Sequence, residues 1–288
     1  MKTLDERIEA AEDAERRDEW TLAAGLWSAI FASNEPGRAW GRAGRRAAIA
    51  YRKAGDFTKA HESLTAVLGR NPNDPLARRE LARLETAIER ANAENPYWHQ
   101  RRDFIYLRVV QQIAVSIAGN AISIVDVGSN GTPILEWFPS ATLRVSIDRG
   151  KPYAAPRIVS IAADFRNWNP MRRFDVGLCL QVLEHVPEPA DFARKLLDLC
   201  DVTIVSVPYR WPEEHYAYHL HDPVDEEKLQ AWFGRPPNFS YKVTELFGEE
   251  RIVCVYDKHT TALWPSIDKH DFKYRWSLRG SEKILNVP

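Results

Sequence analysis

The chain has 288 residues, 44% of them hydrophobic and 27% charged, with a formal net charge of −1. Such a composition is typical of a globular protein with one large domain or two ordinary ones, and the small net charge gives no field that would by itself attract nucleic acid or anionic lipid. Because no apolar run approaches the roughly 18 residues of a membrane span, and the N-terminal segment is acidic rather than basic and then apolar, we expect a cytoplasmic protein without a membrane span.

The first third of the chain, residues 1–94, is predicted to be a purely helical domain. Short turns separate runs of helical periodicity at roughly 3–17, 19–32, 38–53, 57–69 and 75–93. The segment DEWTLAAGLWSAI aligns with GDFTKAHESLTAVL at a shift of 37 positions, which places Trp20 on Phe57. Paired helices with alanines at their contacts, a Gly-Asp turn and an NPNDP segment resemble tetratricopeptide repeats, whose usual period is about 34 residues. The resemblance implies a module that binds a peptide or another domain, and the alternative is a helical cap that only packs on the rest of the chain.

One predicted helix of this region has an uneven distribution of charge. Six basic residues and no acid lie between Arg38 and Lys53, and Arg38, Arg42, Arg45 and Arg46 recur at helical spacing opposite an apolar stripe. The stripe predicts a core contact. The arginines form either a solvated outer face or a surface for an acidic partner, a phosphate or a neighbouring domain.

The rest of the chain is predicted to alternate strands and helices. Asn95-Pro96 opens a linker, which is followed by one amphipathic helix up to residue 118. Seven strand-like runs come next, at 122–127, 142–148, 157–163, 173–180, 202–208, 240–247 and 251–257. Five strands joined by crossovers imply a parallel sheet covered on both faces, and the last two form an antiparallel hairpin at its edge. Residues 119–288 are therefore predicted to form a doubly wound α/β domain with a mostly parallel seven-stranded sheet.

The three cysteines are not expected to carry chemistry. Cys179, Cys200 and Cys254 are widely spaced among apolar neighbours. Their odd number and their spacing favour buried reduced thiols over a disulfide framework or a thiolate metal site.

The segment IVDVGSNGTPI, residues 124–134, predicts a strand, a glycine turn and a helix start. In a doubly wound sheet the ligand lies beside the first such turn, where glycine lets the backbone approach it closely. The turn lacks the three glycines of a dinucleotide site, and the carboxylate of Asp126 would repel a pyrophosphate but suits a cationic amino group. Asp148 ends the second strand, where it can accept hydrogen bonds from a ribose diol, and Asp164 follows the third strand, where it can meet an exocyclic amine.

The segments IVDVGSNG, SID, ADF and FDVGLCLQVLEHV, in this order and spacing, resemble the class I S-adenosylmethionine-dependent methyltransferases over residues 120–257. The resemblance implies S-adenosylmethionine as cofactor, with its methionine part at the turn and its adenosine at the two later acids. The residues it assigns to cofactor binding are Asp126, Gly128, Ser129, Asn130, Gly131, Asp148, Asp164, Phe165, Gln181 and Val182. This family more often has glycine at position 129 or 130, and asparagine tolerates a left-handed backbone better than most residues.

Half of the eight histidines are predicted to lie near one pocket. His185 follows the fourth strand, and His215, His219 and His221 follow the fifth. Methyl transfer from a sulfonium to a hydroxyl needs an aligned acceptor that loses its proton, so His185 and His219 are candidate bases and Glu184 is a candidate catalytic partner. The alternative is that Glu184 and His185 only tie down the start of a helix.

A divalent metal is possible in the same segment but not favoured. The pattern E-x-x-E-H with a later histidine resembles the metal site of small-RNA 2′-O-methyltransferases and of ubiquinone-pathway O-methyltransferases, which implies Glu184, His185 and His221 as ligands. Gln181 stands at the position of the first glutamate, and a neutral amide is a poor replacement in a site for a hard cation.

The segment SVPYRWPEEH, with HDPVDEEKLQAWFGRPP after it, resembles methyltransferases encoded with enzymes of bacterial surface-polysaccharide synthesis. That resemblance implies a sugar hydroxyl of a glycan or glycan precursor as acceptor. Aromatic residues suited to stacking on a sugar ring are Tyr209, Trp211, Tyr216, Tyr218 and Trp232. Two other functions stay open: an interaction protein with a catalytically degenerate methyltransferase fold, and an RNA 2′-O-methyltransferase, which the near-neutral charge disfavours. The expected partners are a small-molecule or glycan acceptor and a protein bound by the helical domain.

Overall fold

The computed structural model describes residues 3–33, 38–93, 95–213 and 216–279. The chain divides into two compact units between Glu94 and Asn95, and the segment Ala154–Pro156 belongs to the first unit. Within the described ranges, no helix has both the length and the apolar composition that crossing a bilayer requires.

The described part of the first unit consists of five helices, at the positions that the apolar periodicity predicts. Their bounds are α1 Leu4–Arg16, α2 Trp20–Ala32, α3 Arg38–Ala54, α4 Phe57–Arg70 and α5 Pro75–Ala93. Side-chain caps begin three of them, since Thr3 accepts a hydrogen bond from Glu6 N, Asp56 accepts one from Lys59 N, and Asp74 accepts one from Ala77 N.

Small side chains let these helices pack closely. Trp27 is fully buried in a cluster whose other members are mostly alanines of α1, α2 and α3, and a second cluster around Leu64 and Leu84 joins α4 to α5. At Gly44 of α3, an added Cβ would lie 2.5 Å from a methyl group of Val67, so the contact between α3 and α4 requires a glycine. The helical prediction is confirmed, and the tetratricopeptide-like character remains an interpretation.

The described part of the second unit combines five further helices with a seven-stranded sheet. The helices are α6 Pro96–Arg101, α7 Ile105–Ala118, α8 Pro189–Leu199, α9 Glu226–Phe233 and α10 Lys269–Arg279. The strands are β1 Ser123–Val127, β2 Leu143–Asp148, β3 Val159–Ala162, β4 Phe174–Leu180, β5 Cys200–Pro208, β6 Phe239–Thr244 and β7 Glu250–Asp257. Their order across the sheet is β3-β2-β1-β4-β5-β7-β6.

The sheet has the predicted directions. Strands β1 to β5 pair in parallel, and β7 pairs antiparallel with both β5 and β6. Every residue of β5 is buried, as expected for a strand covered on both faces. Val125 and Val127 of β1 belong to the core that includes α8 and α9, and alternation along the strand places Ile124 and Asp126 on the opposite face. The prediction of a doubly wound α/β fold is confirmed.

Within the described residues, three of the crossovers contain no α-helix. Between β1 and β2 the chain forms a 3₁₀ helix, Pro133–Trp137, instead of an α-helix, and the connections from β2 to β3 and from β3 to β4 contain only turns and bends. Thr132 precedes the 3₁₀ helix, but its hydroxyl donates to Ser129 O at 2.7 Å and does not cap the helix. The chain therefore returns from the glycine turn to β2 through only a short 3₁₀ helix.

The three cysteines are buried, as predicted. Cys179, Cys200 and Cys254 are free and buried, and burial raises the pKa of the Cys254 thiol to about 12. A thiol with so high a pKa is a weak nucleophile at neutral pH.

Candidate functional site

Three carboxylates lie at the carboxyl edge of the parallel strands. Asp126 is in β1, Asp148 ends β2 and Asp164 comes two residues after β3. The register pairs Asp126 with Ser146 and Asp148 with Ala162. Parallel strands direct their carboxyl ends to one edge, so the three acids share the edge where doubly wound sheets bind ligands.

The glycine turn has a conformation that depends on its residue types. Gly128, Asn130 and Gly131 take the left-handed backbone conformation, with φ of 79°, 45° and 68°. An added Cβ at Gly128 would lie 2.4 Å from Val182 Cγ2, so both the positive φ and the close approach require glycine. Asn130 adopts the left-handed conformation that its residue type tolerates.

Side chains of β2 fix this turn. Asp148 Oδ2 accepts a hydrogen bond from Asn130 N at 2.9 Å, and its Oδ1 accepts two more from backbone N–H groups that follow the strand. The buried Ser129 Oγ accepts a hydrogen bond from Ser146 Oγ at 2.8 Å and one from Tyr153 N at 3.1 Å. The predicted ligand residues Ser129 and Asp148 therefore also hold the turn against β2.

Two cavities meet at Gly128. The larger has a volume of about 200 Å³, and the predicted residues that line it are Gly128, Asp148, Asp164, Phe165, Val182 and His185. The smaller has a volume of about 20 Å³ and is lined by Asp126, Gly128 and Ser129 together with residues of α6 and α7. Most of the residues predicted for cofactor binding thus surround one pair of neighbouring cavities.

Asp126 is the most perturbed acid of the smaller cavity. Its side chain is buried, and its Oδ2 has no hydrogen-bond partner among the described residues. Burial, with repulsion from Asp148, raises the pKa of Asp126 to about 8. A buried carboxyl oxygen without a partner is costly and marks a place where a ligand group would be stabilised.

Asp164 and Phe165, the two residues predicted to meet the adenine, lie in different environments. Arg166 donates two hydrogen bonds to Asp164 Oδ2 and holds the pKa of that carboxyl down to about 2. Phe165 is buried, and its ring centroid lies 4.7 Å from that of Phe192. Asp164 is therefore ionised at neutral pH, and Phe165 forms one wall of the cavity as a core residue.

Gln181 is engaged with the neighbouring strand. Its N donates to Ser206 O at 2.8 Å, and its Nε2 donates to Ser206 Oγ at 3.1 Å. Leu180 lines the smaller cavity and Val182 lines the larger one. Gln181 lies between the two residues that face the cavities, while its own amide bonds to β5.

Helix α6 covers the smaller cavity, and the sequence prediction missed it. Tyr97, Trp98 and Arg101 line that cavity. Asn95 begins the helix, since its Oδ1 accepts hydrogen bonds from Tyr97 N and Trp98 N, while its Nδ2 donates to the carbonyl oxygens of Asn130 and Gly131 at 3.0 and 2.8 Å. Asparagine followed by proline is a known helix-start pattern, and it could have identified α6.

A cluster of titratable side chains lies beside the larger cavity. His219 Nδ1 is 2.6 Å from Asp222 Oδ2, and His185 Nδ1 is 2.9 Å from Tyr218 O. Because a carbonyl oxygen only accepts, His185 carries its proton on Nδ1, and the Asp222 carboxylate favours the same tautomer in His219. Both Nε2 atoms then keep a lone pair that no hydrogen bond among the described residues uses, and the two rings lie 4.8 Å apart between centroids.

Burial tunes two members of this cluster. It raises the pKa of Glu184 to about 8, with a further upward contribution from Asp222, and it lowers the pKa of His185. Glu184 Oε2 and Asp222 Oδ1 are buried without a hydrogen-bond partner among the described residues. The cluster therefore has unused acceptor atoms, as expected of a site that binds a polar group.

Among the described residues, the three side chains placed to share a cation differ from the three expected from the sequence. Ligand atoms of Glu184, His185 and His219 lie within 4.8 Å of one another. His221 instead has its Nε2 2.7 Å from Val186 O, and its ring lies against Trp232. His215 lies outside the described residues.

The aromatic residues proposed for sugar stacking differ in exposure. Tyr209 and Trp211 are buried, Trp232 is partly buried against the core, and Tyr216 and Tyr218 are exposed. The Trp211 ring stacks on His219 with centroids 5.8 Å apart, and Tyr216 lies 5.2 Å from the same histidine. The exposed Tyr216 ring thus lies next to the histidine cluster, and Tyr218 contacts His185 through its carbonyl oxygen.

No protein-family model matches the chain, and no curated protein matches its sequence. Among solved structures, the N-methyltransferase NodS from Bradyrhizobium japonicum WM9, in complex with S-adenosylhomocysteine, is 12% identical and covers 60% of this chain and 97% of its own, with a TM-score of 0.45. The 1,6-didemethyltoxoflavin-N1-methyltransferase from Burkholderia thailandensis is 16% identical and covers 60% of this chain and 88% of its own, with a TM-score of 0.45. The N-terminal domain of EvdMO1 with S-adenosylhomocysteine bound is 17% identical and covers 52% of this chain and 79% of its own, with a TM-score of 0.39. At these values the likeness by itself assigns no function to this chain.

Proposed function

We propose that the second unit binds S-adenosylmethionine at the glycine turn and transfers its methyl group to a hydroxyl. The observation that carries the proposal is the buried, unpaired Oδ2 of Asp126 beside Gly128, at the same sheet edge as Asp148 and Asp164. A cationic amino group would satisfy Asp126, ribose hydroxyls would meet Asp148 and an adenine amine would meet Asp164.

The chemistry of these residues fits the cofactor, and the shape of the smaller cavity adds one requirement. About 20 Å³ is room for roughly one water molecule. An amino-acid group can enter beside Asp126 only if α6 moves away from the turn. We therefore propose that α6 shifts when the cofactor binds.

The catalytic residues we propose are His219 and His185, with Glu184 beside them. When bound, the cofactor supplies an electrophilic methyl group on a sulfonium. His219 would take the proton of the acceptor hydroxyl, because Asp222 directs its free lone pair to Nε2 and would stabilise the charge that the ring gains. His185 lines the larger cavity, and its lowered pKa keeps the ring neutral, so its Nε2 would accept a hydrogen bond from the acceptor.

We assign a sugar hydroxyl of a glycan or glycan precursor as the acceptor. Support comes from the exposed ring of Tyr216 close to His219, with the exposed Tyr218 two residues further along the chain, since an aromatic face suits the apolar face of a sugar ring. The competing RNA 2′-O-methylation would need a basic surface, which a net charge of −1 does not favour.

Calorimetry with S-adenosylhomocysteine tests cofactor binding. Asp126→Asn removes the carboxylate with little change in shape, and we expect affinity to fall about 10- to 100-fold, the effect of losing a charge-assisted hydrogen bond of roughly 1.5–3 kcal/mol. The matched control is Asp191→Asn, an exposed carboxylate of α8 that pairs with Arg194, and it should bind like the unaltered chain. An unaltered chain that releases no binding heat at millimolar ligand would favour the interaction-protein alternative.

The same titration has an expected pH dependence. Because the pKa of Asp126 is about 8, this carboxyl must lose a proton before it pairs with the ligand's amino group. Affinity should rise between pH 6 and 8, by up to about tenfold per pH unit, and level off above that range. Asp126→Asn should remove the rise.

Transfer of label from methyl-labelled S-adenosylmethionine tests the acceptor class. We expect label in one or more of a panel of aryl hexosides and deoxyhexosides, and the label should survive alkali, because methyl ethers resist hydrolysis and methyl esters do not. Label that enters an RNA oligonucleotide instead would contradict the sugar assignment. In that case RNA binding should also weaken steeply with salt.

A further inference from the structure

The helical unit contains a charged cavity that methyl transfer does not use. It lies between α3 and α5 and has a volume of about 270 Å³. The basic residues that line it are Arg42, Arg45, Arg46, Arg79 and Arg83. Glu80 is the one acid among the described residues that line this cavity, so most of its charged groups are guanidinium groups.

Acidic side chains hold these arginines from the buried side. Glu15, Asp74 and Glu80 have at most 9% of their side-chain surface exposed, whereas Arg46 keeps 38% and Arg83 keeps 53%. The ion pairs are Arg42–Glu12, Arg45–Asp74, Arg46–Glu15, Arg52–Glu80 and Arg83–Glu80. Negative charge thus lies inside and positive charge lies outside, and ion pairs hold the guanidinium groups of Arg42, Arg45, Arg46 and Arg83 in place before any ligand arrives. Fixed side chains lose little entropy on binding.

The arginines that line the cavity keep N–H groups on their outer side that can donate further hydrogen bonds. A guanidinium carries five N–H donors, and a single carboxylate accepts two of them at most in a bidentate pair. Arg42 and Arg83 keep 50% and 53% of their side-chain surface exposed, and the exposed Arg79 forms no ion pair within the described ranges of the chain. A ligand with carboxylates would find free donors here.

Two apolar side chains narrow the class of ligand. Ile49 and Leu76 line the same cavity, and Leu76 has 57% of its surface exposed. A ligand that combines carboxylates with carbon chains would cover them. A long polyphosphate would not be favoured, because Glu85 and Glu89 are exposed further along α5 and the chain as a whole carries a charge of −1.

We propose that the cavity between α3 and α5 binds an acidic peptide segment of a partner protein, with glutamate, aspartate or C-terminal carboxylates on the arginines and an aliphatic side chain on Ile49 and Leu76. The cavity would hold one or two side chains. The methyltransferase unit would then be recruited to the partner through the helical unit, whatever acceptor it uses.

Fluorescence anisotropy of the full chain with labelled hexaglutamate tests this proposal. We expect saturable binding at 50 mM salt that weakens as salt increases, and no binding of hexalysine. Arg79→Glu should weaken binding at least tenfold, because a carboxylate would replace a donor in the cavity wall. This variant should keep the thermal midpoint of the unaltered chain, since Arg79 is exposed.

Arg78→Glu is the matched control, because Arg78 is the adjacent exposed arginine and its Nη2 donates to Asn73 outside the cavity. Its hexaglutamate affinity should stay within about twofold of the unaltered chain, the range of a remote surface charge. Three results would overturn the proposal: no hexaglutamate binding at 50 mM salt, equal losses in both variants, or tighter Arg79-dependent binding of an RNA oligonucleotide. None of these results depends on S-adenosylhomocysteine binding, so methyl transfer and peptide binding can fail separately.

Discussion

At the scale of single residues, the candidate site depends on groups that are unusual for their surroundings. Asp126 and Glu184 are carboxyls in a buried environment, each with an oxygen that lacks a partner among the described residues. Gly128 leaves room for Val182 at the point where the two cavities meet. His219 is held by Asp222 in the tautomer that a base needs. The buried carboxyls are costly for folding, and the proposed polar ligand would offset that cost.

The histidine assignment makes a prediction at this scale. His219→Ala should lower the turnover of the best glycoside acceptor by about 10²- to 10⁴-fold, the usual contribution of a general base, while S-adenosylhomocysteine affinity changes little. His221→Ala is the matched control, because His221 bonds to Val186 O away from the cluster, and it should keep turnover within a few-fold. Equal losses of turnover and ligand affinity in His219→Ala would indicate a structural role.

At the scale of elements, helix α6 and the glycine turn act as a pair. Asn95, which is 1% exposed, links them. Its Nδ2 donates hydrogen bonds to two carbonyl oxygens of the turn, and its Oδ1 accepts a hydrogen bond from the first turn of α6. The connections after β1 and β2, which the structure describes throughout, contain no α-helix, so neither of them covers this edge of the sheet. Helix α6, from before the first strand, covers it instead. The segment NPYWHQR is therefore part of the site as well as a connection.

The element-scale prediction concerns this link. Asn95→Ala removes the cap of α6 and both hydrogen bonds to the turn, so we expect the free energy of unfolding to fall by about 0.5–2 kcal/mol and S-adenosylhomocysteine to bind more weakly. Asn95→Asp keeps an oxygen for the cap but places a carboxylate against two carbonyl oxygens. It should therefore weaken ligand binding as well, which identifies the tether to the turn as the cause. Asn73→Ala in the helical unit is the control, and thermal unfolding with calorimetry is the measurement.

At the scale of the whole molecule, the buried acids connect function to stability. Burial raises the pKa of Asp126 from 3.8 and that of Glu184 from 4.5, each to about 8. Between these ordinary values and pH 8, the folded chain binds more protons than the unfolded chain. The free energy of unfolding therefore decreases as pH rises through this window, and the trend ends above about pH 8.

The decrease in the free energy of unfolding with rising pH can be tested by urea unfolding. From pH 6 to pH 8, the free energy of unfolding should fall by up to roughly 1.4 kcal/mol per pH unit for each of the two carboxyls. The double variant Asp126→Asn, Glu184→Gln should show a flatter profile, because neither amide titrates. An unchanged slope in that variant would assign the pH dependence to other groups.

The sequence by itself determined the elements and the positions of the acids along the chain. Apolar periodicity and turn residues are local, so five helices of the first unit, seven strands and the antiparallel hairpin follow from neighbouring residues. The acids after β1, β2 and β3 could be placed at one edge because parallel strands end together. The predicted helix start after β1 is confirmed at Pro133, but the helix is a short 3₁₀ helix, and the hydroxyl of Thr132 bonds back to Ser129 O instead of capping it.

Only the tertiary structure decided which side chains meet. Asn95 reaches Gly131 across 36 positions, Arg46 reaches Glu15 across 31, and His185 reaches the carbonyl of Tyr218 across 33. Sequence spacing gives no distance between such partners, because it is set by how helices and strands pack. The same packing removes water from Asp126 and Glu184 and so sets their pKa values, which no residue type has on its own. Local order was therefore readable from the sequence, whereas the covering of the glycine turn and the electrostatics of the site came from the folded chain.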